Sequence, residues 1–217
     1  GAEASVNFYR TDYFSESNRI RVEACRRGDQ AWIQAQLRQQ DEAHPQPYAD
    51  ERFENRVGMQ LIQQILLKNS ERFDIVEVAC GNAGLLRRLR DDGHRVRGVD
   101  ASPVRAANNS DIPVELGFCE QLPLASQSAD IVIGLECMGH VFDLDRALRE
   151  CVRVLRPGGL FLCQVPLGNF ADGSNHVRLF DEASLRRVVE GVGLETVGMF
   201  RMAYLVGESA NNLFIVA

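Results

Sequence analysis

Short apolar runs alternate with amphipathic segments from Phe73 to the last residue. Ile75–Val78 and Asp130–Leu135 are runs of the kind found in strands that are covered on both faces. Between and after them, apolar residues recur every three or four positions, as in helices with one buried side. This alternation predicts an α/β fold with a parallel sheet between two layers of helices.

The pattern places strands and helices in regular alternation. We expect a helix that carries Leu85, Leu86 and Leu89 and ends at Gly93, and further helices that begin near Ser102, Asp143 and Asp181. The predicted strands lie at residues 75–78, 95–99, 113–116, 130–135, 160–165, 195–202 and 211–217. Only about eight residues join the last two strands, whereas a parallel crossover needs a dozen or more. The last strand is therefore predicted to run antiparallel.

The first 70 residues have a different pattern. They predict two polar helices at 15–27 and 29–42, then a linker at His44–Pro47, because proline disfavours helix at and before its position. A further helix is expected to bury one stripe at four-residue spacing. We expect residues 1–70 to form a helical cap over the pocket of a domain at 71–217. The stripe is Phe53, Val57, Leu61 and Ile65, and candidate pocket residues of the cap are Tyr9, Tyr13, Trp32 and Arg56.

Composition narrows the classes of partner. The net charge is −6, and the basic residues are nearly all Arg. The Arg pairs, such as Arg87–Arg88 and Arg186–Arg187, fall on polar faces of predicted helices, which we expect to be solvated. These features argue against nucleic acid as a partner. No apolar run is long enough to span a membrane, and the first residues lack the pattern of a secretion signal, so we expect a cytoplasmic protein.

The cysteines lack the spacing of metal ligands. None of the six forms a C-x-x-C pair, so we expect no metal site and interpret the thiols as small buried apolar groups.

Residues just after the strands are candidates for ligand binding, since ligands of open α/β sheets bind beyond the carboxyl ends of the strands. Gly81 and Gly84 follow the first strand and can form a cradle, or simply a tight turn into the helix. Asp100 follows the second strand and can accept hydrogen bonds from both ribose hydroxyls, or cap the helix at Ser102. Together they indicate an adenosine-containing cofactor, either a nicotinamide dinucleotide or S-adenosylmethionine.

Three features favour S-adenosylmethionine. Ala79 replaces the first glycine of the dinucleotide fingerprint, Arg156–Gly159 (RPGG) leads into the fifth strand, and the chain closes with a β-hairpin. The segments VEVACGNAG, VRGVDAS, GFCEQLPL, SADIVIGLECMGHV and RVLRPGGLFLCQVP, in this order, resemble class I S-adenosylmethionine-dependent methyltransferases. They are most similar to the small-molecule subgroup that includes ubiquinone and menaquinone methyltransferases.

This resemblance implies a Rossmann-like seven-stranded sheet and a set of cofactor contacts. It implies that the loop after the first strand receives the methionine part of the cofactor and that Asp100 holds the ribose. Phe118 stands where the family usually has Asp, so either Phe118 packs against the adenine or Glu120 supplies the acceptor. The residues expected to bind the cofactor are Glu77, Ala79, Cys80, Gly81, Asp100, Ala101, Cys119, Glu120 and Leu135.

Two histidines are candidates for a general base if the methyl acceptor is a hydroxyl. His140 follows the fourth strand, and His176 lies in the long loop after the fifth strand. Their structural alternatives are a helix-start residue that hydrogen-bonds the backbone, for His140, and an exposed loop residue, for His176. Glu136 can contact cofactor or substrate, or be a solvated carboxylate.

We therefore expect a methyltransferase that acts on a small molecule, with oxygen favoured as the acceptor. The oligomeric state stays open. The alternatives are a non-catalytic cofactor-binding module of the same fold and a nucleotide-dependent oxidoreductase.

Overall fold

The chain folds into a central sheet with helices on both faces. The structure is a computed structural model that describes residues 53–67, 71–141, 143–167, 178–203 and 211–217, and the single positions 27, 31 and 35. In chain order its elements are α1 (Phe53–Leu67), β1 (Asp74–Val78), α2 (Gly84–Asp91), β2 (Arg95–Asp100), α3 (Pro103–Asn108), β3 (Val114–Leu116), β4 (Ala129–Leu135), α4 (Leu144–Val154), β5 (Leu155–Leu167), α5 (Glu182–Gly191), β6 (Gly198–Ala203) and β7 (Asn211–Val216).

The sheet has seven strands in the order β3-β2-β1-β4-β5-β7-β6. All pairs among β1 to β5 are parallel, and β7 is antiparallel to both β5 and β6. The predicted mostly parallel, Rossmann-like sheet with an antiparallel last strand is confirmed. β7 inserts between β5 and β6, so the closing hairpin leaves β6 at the edge of the sheet.

β5 begins five residues earlier than the apolar pattern predicts, at Leu155 instead of Leu160. Leu155 pairs with Ala129, and the register then shifts so that Ile131 pairs with Leu160. The RPGG segment lies inside this irregularity, where Gly158 adopts φ +78°. A Cβ on Gly159 would lie 2.8 Å from the carbonyl oxygen of Asp130, so glycine lets the backbone pass.

α1 exists as predicted, but the stripe chosen from the sequence is not its most buried side. Met59, Ile62 and Leu66 are at most 2% exposed, whereas Val57, Leu61 and Ile65 of the predicted stripe are only partly buried. The most buried residues of α1 are spaced by three and then four positions, and not by four throughout, so its buried side is rotated by part of a turn from the predicted stripe. The correct side includes Gly58, whose missing side chain lets the helix backbone approach the sheet.

The sheet separates two apolar clusters. On one face, α1 and α2 bury Ile62, Leu85 and Leu86 against strand residues such as Ile131 and Phe214. On the other face, α4 and α5 pack against residues of the opposite strand parity, which is the arrangement that a doubly covered sheet requires. Members of this second cluster include Val76, Val132, Leu148, Phe161, Leu185 and Ile215.

Ion pairs tie the strands together at the amino edge of the sheet. Arg156 of the RPGG segment bonds Asp74 at 2.9 Å and Asp130 at 2.6 Å. Hydrogen bonds from Arg95 and then Arg156 lower the pKa of the Asp74 carboxyl from 3.8 to about 2, against the opposing effect of burial. This edge lies opposite the strand ends that carry the candidate site, so Arg156 has a structural role.

Most predictions for residues 1–52 lie outside the described residues, including the two polar helices, the linker, Tyr9, Tyr13 and Trp32. The side chain of Arg56 and that of Phe53 also lie outside them. The division into a cap at 1–70 and a domain at 71–217 stays a prediction. Among the helices that the structure describes, none is long and apolar enough to cross a membrane.

We predict that Gly98→Ala lowers the free energy of unfolding by about 1–3 kcal/mol, because an added methyl overpacks a filled core. Its Cβ would lie 2.5 Å from Cys80 Sγ and 3.0 Å from Val114 Cγ2. Urea unfolding measures the loss. Gly191→Ala is the matched control, since nothing lies within 4 Å of its Cβ position. Adding Cys80→Ala to Gly98→Ala should restore part of the stability; equal stability of wild type and Gly98→Ala would contradict the packing.

Candidate functional site

The loop between β1 and α2 is held in an unusual backbone conformation. Ala79, Gly81 and Ala83 have φ values of 53°, 55° and 56°, in the left-handed region. Only Gly81 is a glycine, and the conformation costs about 1 kcal/mol or more at each alanine. Such strain persists where the surroundings enforce it, often at ligand sites. The exposed Ala79 thus begins a cradle at the carboxyl end of β1.

Asp100 at the end of β2 closes this cradle. Its Oδ2 accepts a 2.8 Å hydrogen bond from the Gly81 backbone N–H, and its Oδ1 accepts one of 2.8 Å from the Ser102 N–H. The side chain is 6% exposed. The carboxylate therefore supports the start of α3, as one sequence interpretation expected, and its ribose role stays a prediction. Each oxygen can accept a second hydrogen bond.

Two polar side chains that the sequence interpretation missed hold the back of the loop. Asn109 is 6% exposed and donates to the carbonyl oxygen of Gly81 at 2.9 Å. Arg87 donates to the carbonyl oxygen of Asn82 and pairs with Asp111 at 2.7 Å. The prediction that Arg87 belongs to a solvated face is wrong, because it is partly buried in these contacts. The position of Arg87 directly after the glycine loop is the sequence signal that could have indicated its role in holding the loop.

Glu77 and Cys80 flank the loop inside the sheet. Glu77 is 6% exposed on β1, opposite Gly98 and Ile133 on the neighbouring strands. Burial, and then the negative charges of Glu77 and Asp100, raise the pKa of the Cys80 thiol. Cys80 is therefore a neutral packing group and unsuited to act as a nucleophile.

The turn after β3 lies beside the same carboxylate. The Gly117 N–H donates to the Asp100 carbonyl oxygen at 3.0 Å, and Phe118 and Gln121 form an isolated bridge that closes the turn. Glu120 Oε1 accepts a 3.4 Å bond from the Asp143 N–H at the start of α4. Ala101 follows Asp100 and is partly buried. The roles of these residues toward an adenine stay predictions.

Cys119 connects the turn after β3 to the one after β4. A hydrogen bond with Cys137, followed by burial, raises the pKa of the Cys119 thiol. The five cysteines that the structure describes are free and buried. No group of three or more His, Cys, Asp or Glu side chains within the described ranges is arranged to hold a metal ion.

His140 lies in the turn after β4, which a buried arginine holds in place. The His140 N–H donates to the Cys137 carbonyl oxygen at 2.9 Å. Arg178 is 5% exposed, and its guanidinium donates to the carbonyl oxygens of Met138, at 3.0 Å, and Val141. His140 is partly exposed, and it lies in a turn that precedes α4 and not at the start of the helix, where the structural alternative placed it. Its role as a base stays a prediction. His176 lies outside the described residues.

Glu136 directly follows β4 and is not a simple solvated carboxylate. Gln164 Nε2 of β5 and Asn212 Nδ2 of β7 each donate to its Oε1 at 2.6 Å. The two amides are 0% and 3% exposed, whereas Glu136 is partly exposed. Leu135, at the end of β4, lies 3.5 Å from the position of a Cβ on Gly58 of α1.

The structure thus brings the predicted residues of the site to one edge of the sheet. Hydrogen bonds connect the Gly81 loop, Asp100 and the turn after β3, and the contact between Cys119 and Cys137 continues to the turn after β4. Sequence reasoning missed Gln164, Asn212 and Arg178. A polar residue inside a strand covered on both faces, as at Gln164, is the signal that could have found the first of them.

A family model described as a methyltransferase domain matches residues 76–163, from β1 into β5. That range contains the glycine loop, Asp100 and His140. This part of the chain is therefore similar to S-adenosylmethionine-dependent methyltransferases.

Curated relatives match this chain over part of their length. A probable S-adenosylmethionine-dependent methyltransferase of Mycolicibacterium smegmatis is 29% identical over 67% of this chain and 62% of its own. A ubiquinone biosynthesis O-methyltransferase of a Methylobacterium species is 30% identical over 40% of this chain and 38% of its own. The match therefore spans less than two thirds of each relative.

A solved structure shares the fold of this chain. The Burkholderia thailandensis 1,6-didemethyltoxoflavin-N1-methyltransferase, with bound 1,6-didemethyltoxoflavin and S-adenosylhomocysteine, superposes with a TM-score of 0.69 at 16% identity. The superposition covers 86% of each chain. At this identity the likeness concerns the fold.

Substituting Asp100 by Asn should weaken S-adenosylhomocysteine binding about 10- to 100-fold, because charge-assisted hydrogen bonds contribute about 1.5–3 kcal/mol. Isothermal calorimetry measures the dissociation constant. Asp145→Asn is the control, since Asp145 lies in an exposed pair with Arg149 on α4 and its side chain is 65% exposed. An unchanged affinity in Asp100→Asn would remove the carboxylate from the cofactor site.

Substituting Arg178 by Met should lower the free energy of unfolding by about 2 kcal/mol, because it removes the donor from two carbonyl groups of a buried turn. Urea unfolding measures the loss, and hydrogen exchange should speed up at the amides of Gly139 and His140. Arg88→Met, on the exposed side of α2, is the control. Unchanged exchange in the turn would show that Arg178 does not hold it.

Proposed function

We propose that this chain transfers a methyl group from S-adenosylmethionine to a small-molecule acceptor, with oxygen favoured as the acceptor atom. The observation that carries the proposal is the cradle at the end of β1, in which the Asp100 carboxylate meets the Gly81 N–H at 2.8 Å. Similarity to S-adenosylmethionine-dependent methyltransferases supports this cofactor over a nicotinamide dinucleotide.

The residues at this edge fit an adenosine cofactor with an amino-acid tail. Ala79 is exposed, and around Gly81 the nearest atom to an added Cβ is Arg105 Nη1 at 3.7 Å, so the loop has open space on that side. Asp100 can accept a ribose hydroxyl in addition to its backbone donors. Glu77, Cys80, Ala101, Cys119, Glu120 and Leu135 complete the proposed lining.

The bound cofactor would supply an activated methyl on a sulfonium, so the chain's own task is alignment. That methyl would be open to in-line attack by the acceptor, with S-adenosylhomocysteine as the leaving group. Holding both partners in a near-attack arrangement and excluding water are the main contributions open to the protein. The rigid sheet edge and the Arg178-bound turn suit this task.

If the acceptor atom is a hydroxyl oxygen, a general base must also remove its proton. His140 is the candidate base, since it lies partly exposed in the turn after β4, and a histidine can accept a proton near neutral pH. His176 is the second candidate. The O-methyltransferase name of one relative supports oxygen, whereas the N1-methyltransferase name of the structural neighbour favours nitrogen.

A non-catalytic module of the same fold is the second candidate function. Phe118 favours it, because the chain lacks a carboxylate where the family usually has one beside the adenine. Turnover of any acceptor excludes this alternative.

Calorimetry with S-adenosylmethionine, S-adenosylhomocysteine and NADH tests the cofactor. We expect the first two to bind and NADH to show no heat beyond dilution. Binding of NADH without binding of S-adenosylmethionine would overturn the proposed function and favour an oxidoreductase.

A screen for S-adenosylhomocysteine release against phenols, hydroxy acids and amines tests the reaction. With an oxygen acceptor, His140→Gln should lower kcat about 10²- to 10⁴-fold, the usual contribution of a general base, while leaving cofactor affinity within about threefold. A kcat within twofold of wild type would remove His140 from the proton transfer.

A further inference from the structure

Three strands place polar side chains around one carboxylate on the α1 side of the site. Glu136 follows β4, Gln164 lies on β5 and Asn212 lies on β7, and both amide nitrogens reach the same oxygen, Oε1, at 2.6 Å. The Glu136 N–H also donates to the Gln164 carbonyl oxygen at 2.9 Å. We call these three residues the Glu136 cluster. Its two amides fix the orientation of the carboxylate.

The backbone at Glu136 adopts the left-handed conformation, which an ordinary surface glutamate rarely does. Its φ is +55°, and of the four non-glycine residues with positive φ in the described ranges, Ala79, Ala83 and Glu136 follow strand ends at the ligand edge. The left-handed conformation costs about 1 kcal/mol or more for a residue with a Cβ. Strain of this kind is typical of positions where a side chain must be aimed.

The residues of the Glu136 cluster differ in burial: the two amides are buried, whereas the carboxylate is accessible to a ligand. Gln164 and Asn212 are 0% and 3% exposed, so their amides cannot turn to solvent. Glu136 is partly exposed and lies where ligands of α/β sheets bind. The arrangement presents a preoriented negative charge at the surface of the site.

Position relative to Asp100 separates the cluster from the proposed cofactor site. Asp100 ends β2 and Glu136 follows β4, with β1 between them. Two strand spacings amount to about 10 Å. Leu135 precedes Glu136 and provides an apolar neighbour on the α1 side, where Gly58 lies so close that a Cβ would be 2.1 Å from Gln164 Oε1.

We infer that the Glu136 cluster binds the methyl acceptor, through a hydroxyl or ammonium group that donates to the Glu136 carboxylate beside an apolar body. This inference rests on the proposed function. Gln164 and Asn212 are positioning residues, since they act through Glu136. Acceptors that carry a carboxylate at this point are disfavoured, because like charges repel.

Three size-matched probes test the inference without knowledge of the natural acceptor. Benzylamine, benzyl alcohol and benzoate are titrated into the protein saturated with S-adenosylhomocysteine, and saturation-transfer NMR gives each dissociation constant. We expect benzylamine and benzyl alcohol to bind and benzoate not to bind. This preference is measured on the wild-type chain, so it does not depend on a variant folding.

Glu136→Gln keeps the shape of the side chain and removes the charge. It should weaken benzylamine binding at least about tenfold, the effect of losing one charge-assisted hydrogen bond, and leave S-adenosylhomocysteine affinity within threefold. Asn212→Ala should weaken benzylamine binding by a smaller factor. Glu190→Gln, in an exposed pair of α5 with Arg186, is the matched control and should change neither affinity.

Four results would overturn the inference: equal binding of benzoate and benzylamine, no binding of any probe, benzylamine affinity in Glu136→Gln within twofold of wild type, or a loss of S-adenosylhomocysteine affinity above tenfold. The last would assign the carboxylate to the cofactor. Failure of the proposed function gives a different signature, because S-adenosylhomocysteine would then not bind the wild-type chain.

Discussion

One carboxylate connects the parts of the candidate site. Asp100 accepts the Gly81 N–H and the Ser102 N–H at 2.8 Å each, and so ties the loop after β1 to the start of α3. These hydrogen bonds help to offset the conformational cost of the positive φ at Ala79 and Ala83. Because Asp100 is 6% exposed, these bonds form in a poorly solvated place where they are strong. The geometry of the cradle therefore depends on this side chain before any ligand binds.

Side-chain hydrogen bonds also hold the rest of this edge of the sheet, with other residues as donors. Asn109 and Arg87 hold carbonyl groups behind the loop, Arg178 holds those of the turn that contains His140, and two amides hold Glu136. In the first three cases a side chain donates to carbonyl groups of the irregular backbone, whereas the two amides donate to a side-chain carboxylate; both arrangements pair buried polar groups. The result is a rigid rim around the strand ends, which suits a reaction that depends mainly on alignment.

The sequence predicted the fold well because periodicity and length report directly on a covered sheet. Strand positions, the antiparallel β7 and the helix starts at Ser102, Asp143 and Asp181 are confirmed. The start of β5 was wrong because the RPGG segment resembles a loop in composition, while its actual form is an irregularity between paired residues. The buried side of α1 was wrong because glycine counts as neutral in an apolar pattern, yet Gly58 faces the sheet.

The sequence predicted only those parts of the candidate site where the residue type itself indicates ligand binding. Glycines and an aspartate after two successive strands indicate a cradle, but the support from Asn109, Arg178 and Asn212 comes from distant parts of the chain. Arg178 and the turn that it holds are about 40 residues apart, and Asn212 is 76 residues from Glu136. Such pairings depend on strand order, and no local pattern encodes the insertion of β7 beside β5.

The buried cysteines give the core a built-in reporter. Burial, or in Cys119 first the contact with Cys137, raises the pKa of the thiols at Cys80, Cys119, Cys151 and Cys163. Alkylating reagents attack the thiolate, which these groups form only once the core has opened to solvent. Cys80 lies under the cradle, whereas Cys151 lies within α4 on the opposite face of the sheet. The rates at which the two are alkylated would therefore distinguish local opening of the ligand loop from unfolding of the whole sheet.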